Sequence, residues 1–250
     1  MDTMEVGNAA EGGTRRAEER SVDRAKRVGI GLCFIIFPLI WVFAFAVHPD
    51  LLNPRMLMEP EELIARAHGD GLLQFAHALV TLNTAVLVVL TLHFKKLLDR
   101  TPAAWAGLIG AALAVLGACL LAADKGALCL TMSALDTLPE SEFAQMMPGL
   151  LAMFSFKGWM VLVWGLLLMP IGVAIQIIAM LKTKVLPMGQ LGLFLVGVLF
   201  VGFPDGAEII NLSSATLMAV ALIPYGARLM SNRAGQAGLP SADRDPVTVG

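Results

Sequence analysis

Residues 72–94 read LLQFAHALVTLNTAVLVVLTLHF, and this run decides the fold. It holds no Asp, Glu, Lys or Arg, and at about 1.5 Å rise per residue a helix of this length crosses the ~30 Å hydrocarbon core of a bilayer. The apolar residues are continuous rather than alternating, which excludes a strand of a lipid-facing barrel. Its polar residues are not scattered. Gln74, His77, Thr81, Thr84 and Thr91 follow one another at steps of three, four, three and seven, so they share one face of a helix. A polar stripe on a lipid-embedded helix turns toward other helices, which predicts a bundle.

Working outward, five further runs have the same character: 28–48, 103–123, 149–181, 186–203 and 206–230. The composition agrees. The chain is 57% hydrophobic and 15% charged with a mean hydropathy of +0.73, whereas soluble domains carry about 25% charged residues. The expectation is an all-α polytopic membrane protein with six transmembrane helices in one domain over residues 28–230. Polar tails at 1–27 and 231–250 flank it and are expected to be disordered. The first tail, TRRAEERSVDRAKR at 14–27, lacks the short apolar region and cleavage site of a signal peptide.

Charge distribution predicts orientation. Of the 18 Lys and Arg residues, 14 fall in the N-terminal tail, the second and fourth loops and the region after the last run. Six crossings put all of these on one side, and basic residues gather on the cytoplasmic side. Both termini are therefore expected in the cytoplasm of a cell with the chain in its cytoplasmic membrane. Two outward loops carry their own patterns. EPEELIARAH at 59–68 reads as a short amphipathic surface helix closed by a turn at Gly69-Asp70-Gly71. Residues 124–149 either extend the third span or fold back over the bundle mouth, with a stop at Pro148-Gly149.

Buried polar groups in lipid are costly, so those inside spans mark helix contacts or a pathway. In span 3, Ala103, Gly107, Gly110, Ala114 and Gly117 form a small-residue stripe for close packing, and the same spacing continues through Leu121 to Asp124. Span 4 carries Lys157 about two turns inside its outer end, Gln176 near its inner end, and Pro170 and Gly172 where a kink is expected. At the start of span 6, Asp205 reads as an N-cap with Glu208 three residues on, a capping box, and Asn211 and Ser214 continue the polar face inward. His48 ends span 1.

Three functional classes follow. The first is an outward-facing pocket for a small polar solute, ion or lipid headgroup, lined by His48, Gln74, His77, Thr81, Asp124, Lys157, Glu208, Asn211 and Ser214, with His77 and Lys157 facing the acids. The second is a non-catalytic scaffold or subunit that meets a membrane protein partner or a second copy of itself. The third is an intramembrane redox protein holding haem between His48 and His77. Enzymes are disfavoured: there is no H-E-x-x-H, no G-x-S-x-G and no P-loop, and Cys33, Cys119 and Cys129 lack metal-binding spacing. The basic residues serve topology, so no nucleic-acid partner is expected. His48-Pro49 at the end of span 1, His77 early in span 2 and Ala123-Asp124 ending span 3 resemble a pattern in uncharacterised bacterial six-span membrane proteins. The resemblance implies a bacterial cytoplasmic-membrane location and brings no activity with it.

Overall fold

The computed structural model describes residues 3–48, 51–52, 61, 64–65, 68–153, 166–201 and 207–231, with the side chains of 3–17, 20, 128 and 129 outside that description. Every regular element among the described residues is a helix: α1 Thr3–Ala46, α2 Gly71–Leu98, α3 Ala104–Leu135, α4 Glu140–Met153, α5 Leu168–Thr183, α6 Met188–Phe200 and α7 Glu208–Met230. Four stretches are long and apolar enough to cross a membrane: Ser21–Ala46 within α1, then α2, α3 and α7. The expected spans at 149–181 and 186–203 appear as the shorter apolar helices α5 and α6, and residues 154–165 and 202–206, which adjoin them, lie outside the described set.

The helices close a ring in chain order. α1 packs on α2, α2 on α3, α3 on α5, α5 on α6, α6 on α7, and α7 returns to α1. Two ends of the bundle are distinguished below as the His48 end, where α1 finishes and α2 and α7 begin, and the Gly31 end opposite. The core between the helices is built from residues at helical spacing. On α1 these are Phe34, Phe37, Trp41, Ala44 and Phe45, met by Val80, Leu87, Leu90 and Phe94 of α2 and by Ala215, Met218 and Leu222 of α7.

Glycines set how closely the helices approach. A Cβ on Gly172 of α5 would stand 2.4 Å from the Ala114 amide nitrogen and 2.5 Å from the Gly110 carbonyl, and one on Gly117 would stand 2.2 Å from the Met169 nitrogen. The small-residue stripe of α3 thus meets α5, as its spacing predicts. At the Gly31 end a Cβ on Gly226 would stand 2.5 Å from the Gly31 carbonyl.

Several local expectations are corrected. Of the two alternatives for 124–149, extension of span 3 is the one found, with α3 continuing to Leu135, while the expected stop at Pro148-Gly149 is overturned, since α4 runs through both residues. Pro148 stands inside α4 despite the lost backbone bond and ring crowding that proline brings, and Gly149 does not take the positive φ of a stop. Pro170 stands in the first turn of α5, where its missing N–H costs no helical bond, and the part of span 4 on its N-terminal side, 154–165, lies outside the described residues. α1 begins at Thr3: Ala, Glu and Arg are strong helix formers, and the apolar half supplies the nucleus that a short helix lacks. The turn before α2 is as expected. Gly69 has φ +74°, and the Asp70 carboxylate caps α2 by accepting the Leu73 amide at 2.9 Å. Of the loop helix expected at 59–68, Glu61, Ile64 and Ala65 are helical, and Ile64 is buried with Met132, Phe143 and Leu150 in a small second core.

Candidate functional site

α7 begins at Glu208, and its N-cap is Ala207, which supplies no side-chain cap. The capping box is therefore corrected: Glu208 is the first residue of the helix and not the third, so it cannot reach back to close a box. Asp205 lies outside the described residues. Glu208 is instead buried at 5% exposure. One carboxylate oxygen lies 3.4 Å from His48 Nδ1, and the other accepts the Asn211 side-chain amide at 3.3 Å.

His48 connects this pair to α2. Its ring stands edge-on to His77 with centroids 5.4 Å apart, and on its own helix it leans on Phe45, which stacks on Trp41. Asn211 and Ser214 are buried one and two turns along α7. Ser214 donates to the Ile210 carbonyl of its own helix. Asp124 is buried at 7% exposure on α3, at the position its stripe predicts, and two residues further on Gly126 lies against Thr81 of α2. Four of the expected site residues, His48, His77, Glu208 and Asn211, therefore converge from three helices at one end of the bundle. Lys157 lies outside the described residues. Among the described residues, no three His, Cys, Asp or Glu groups stand as a set able to hold a metal ion.

Two expected site residues do other work. Thr81 donates to the His77 carbonyl of its own helix, as Thr84 and Thr91 do to Thr81 and Val88. The threonines of the stripe satisfy themselves locally. Two amides bond between helices: Asn83 donates to the Phe37 carbonyl of α1 beside Pro38, and Gln176, fully buried, donates to the Thr91 and Gly107 carbonyls of α2 and α3. Gln74 belongs to a separate cluster. It bonds the Asp136 carboxylate and accepts from Ser133 at 2.7 Å.

That second cluster was not anticipated, because neither Asp136 nor His68 lies within a span. Asp136 ends α3 and accepts His68 Nδ1 at 2.7 Å and the Gly69 amide at 3.0 Å. His68 stacks on Phe143 of α4 and turns Nε2 to within 3.5 Å of Glu140. The cluster ties the turn before α2 to the junction of α3 and α4. Burial alone would raise the Asp136 carboxyl, but the Gly69 amide, the Gln74 amide and His68 together hold it below the usual carboxylate range. A depressed folded value means that its stabilisation is present above the unfolded value and lost as pH falls through the folded one. Acidification into that range is expected to speed exchange at the Gly69 amide, corrected for intrinsic rate. Asp136→Asn is expected to exchange fast already at neutral pH and to lose the acid response.

At the Gly31 end, His93 Nε2 and the Tyr225 hydroxyl are 2.8 Å apart, with the Phe34 ring edge-on to both. Tyr225 lies 132 residues from His93 along the chain, so no local spacing links the two. Comparison with protein-family models, with curated proteins and with solved structures finds no match in any of the three.

Proposed function

We propose that this protein is a multi-pass membrane protein of six crossings with both termini cytoplasmic, in a bacterial cytoplasmic membrane, whose outward end holds a pocket for a small polar group. The supporting observation is the meeting of His48, His77, Glu208 and Asn211 from α1, α2 and α7 at the end where the basic residues are fewest. Dispersed polar groups would favour the scaffold reading. Convergence from three helices favours a site.

The chemistry of the pocket selects its ligand. Carboxylate oxygens, an amide oxygen and an imidazole lone pair are all acceptors, so a group rich in N–H or O–H donors is the complement. An ammonium or hydroxyl-bearing head meets that need whether it arrives as a free solute or on a lipid. The haem reading would require the two imidazoles, now edge to face at 5.4 Å, to part and admit a macrocycle.

The test is binding of ethanolamine, as the free amine and as the headgroup of phosphatidylethanolamine, to the purified protein in nanodiscs. A hydrogen bond to a charged group contributes about 1.5–3 kcal/mol, so Glu208→Gln is expected to weaken binding by roughly 10- to 100-fold. Asp136→Asn, in the separate cluster, is expected to leave it unchanged. Equal affinity of wild type and Glu208→Gln for both forms overturns the proposal.

A further inference from the structure

α4 stands outside the helix ring. The contacts that close the ring pass directly from α3 to α5, and α4 is attached to the rest through side chains. Phe143 and Leu150 enter the small second core with Ile64 and Met132. Glu140 and Phe143, in the first turns of α4, also meet His68 in the segment before α2. A helix held through one small core and one ring is sensitive to the state of that ring.

His68 is fixed on three sides. Asp136 of α3 accepts Nδ1 at 2.7 Å, the Phe143 ring stacks on the imidazole with centroids 3.6 Å apart, and Nε2 faces the Glu140 carboxylate at 3.5 Å. The Asp136 carboxylate also accepts the Gly69 amide and the Gln74 side chain. It is committed as an acceptor, so the single proton of a neutral His68 sits on Nδ1. Nε2 then presents a lone pair to a carboxylate oxygen, and neither atom can supply a hydrogen. A second proton resolves this conflict: Nε2 becomes a donor to Glu140, and the positive ring lies between two carboxylates and over the Phe143 face. The charged groups that face His68 are Asp136 from α3 and Glu140 from α4. Asp70, in the same turn, is engaged in capping α2, and among the described residues no Lys or Arg pairs with Asp136 or Glu140.

We propose that His68 is a proton-operated latch for α4: the imidazolium ties the start of α4 to the turn before α2 and to the end of α3, and the neutral imidazole loosens it. Histidine is the side chain whose charge ordinarily changes between pH 5 and 8, so the latch closes on the acid side of neutrality and opens on the basic side. Its acid limit is protonation of Asp136, which removes the acceptor that orients the ring. Glu140 is 86% exposed, so water screens the contact and the effect is several-fold rather than many orders of magnitude. The latch uses none of His48, His77, Glu208 or Asn211 and is independent of the pocket reading.

The test is hydrogen exchange of the full-length protein in nanodiscs at pH 6 and pH 8, read by mass spectrometry on peptides covering α4 and corrected for intrinsic rate. Wild type is expected to exchange there about three- to tenfold faster at pH 8. Peptides over residues 87–94 of α2, away from the cluster, are expected to show no difference. In Glu140→Gln the side-chain amide can donate to the neutral Nε2, so the α4 rate at pH 8 is expected to stay within about twofold of that at pH 6. His68→Gln is expected to exchange fast at both values. Equal corrected rates at pH 6 and pH 8 in the wild type overturn the latch, as does the full wild-type response persisting in either variant. A response of the same size in α2 and α4 overturns it too, since it would report a change in the whole bundle.

Discussion

Gly172→Val is expected to abolish the folded bundle or to lower its stability by about 3 kcal/mol, the upper part of the range for overpacking a filled interior. The reason is the character of what the new side chain meets. At Gly172 the nearest atoms are the Ala114 amide nitrogen at 2.4 Å, the Gly110 carbonyl at 2.5 Å and the Ala114 Cα at 2.9 Å, all of them backbone. A side chain can swing away, but a helix backbone moves only as a whole. Relief would therefore separate α3 from α5, and with it would go the bond from Gln176 to the Gly107 carbonyl, which reaches across this seam. Gly192→Val on α6, where nothing lies within 4 Å, is the matched control and is expected to be close to neutral. Thermal unfolding of both variants in mild detergent, with the wild type alongside, gives the comparison, and equal stability of the two would refute this account of the α3–α5 seam.

Phe34→Ala is expected to cost about 3–5 kcal/mol, the range for removing a fully buried aromatic side chain. Phe34 has no exposed surface, and its ring stands edge-on to Phe94 at 5.4 Å, to His93 at 5.4 Å and to Tyr225 at 4.8 Å. Edge-to-face pairs add to the burial of area itself. The vacated space also adjoins a polar pair. With its aromatic wall gone, the His93–Tyr225 bond gains a route to solvent or lipid, so tyrosine fluorescence in a tryptophan-free background is a second readout. Phe34→Leu, which keeps most of the volume, is expected to recover more than half of the loss. Equal damage from the two substitutions would show that ring geometry, rather than filled space, is what matters there.

Much of the architecture was legible because lipid-facing helices have a simple requirement. Residues 72–94 had to be helical and had to turn His77 inward, and α2 does both. The stripe through Gly107, Gly110 and Ala114 likewise announced a close helix contact, since small residues at that spacing have no other common use in a bundle. It could not name the partner, because α5 is more than fifty residues further along the chain. The buried acids behaved differently from one another. Asp124 followed from extending a stripe, whereas Glu208 was read as part of a cap, because local spacing suggests a capping box that the actual helix start, two residues later than a capping Asp205 would give, does not form. Tertiary pairs such as His68 with Asp136 and His93 with Tyr225 were invisible for the same reason as the α3–α5 seam: each joins groups 68 or 132 residues apart. The threonines of the stripe share a face as their spacing predicts, but their hydroxyls turn to carbonyls of their own helix.

The ring closes through α7 returning to α1, and their seam is the glycine contact between Gly31 and Gly226. The two halves of that seam are made about 195 residues apart in synthesis, which at ~5–20 residues per second is on the order of 10–40 s. During that interval α1 stands in the bilayer with its broadest packing face against lipid. α1 is thus held open as a template until α7 is made, and α7 serves as the keystone whose arrival ends the exposure. A ribosome stalled before α7 would leave an unfinished arch, with a glycine-notched face available to any neighbouring helix.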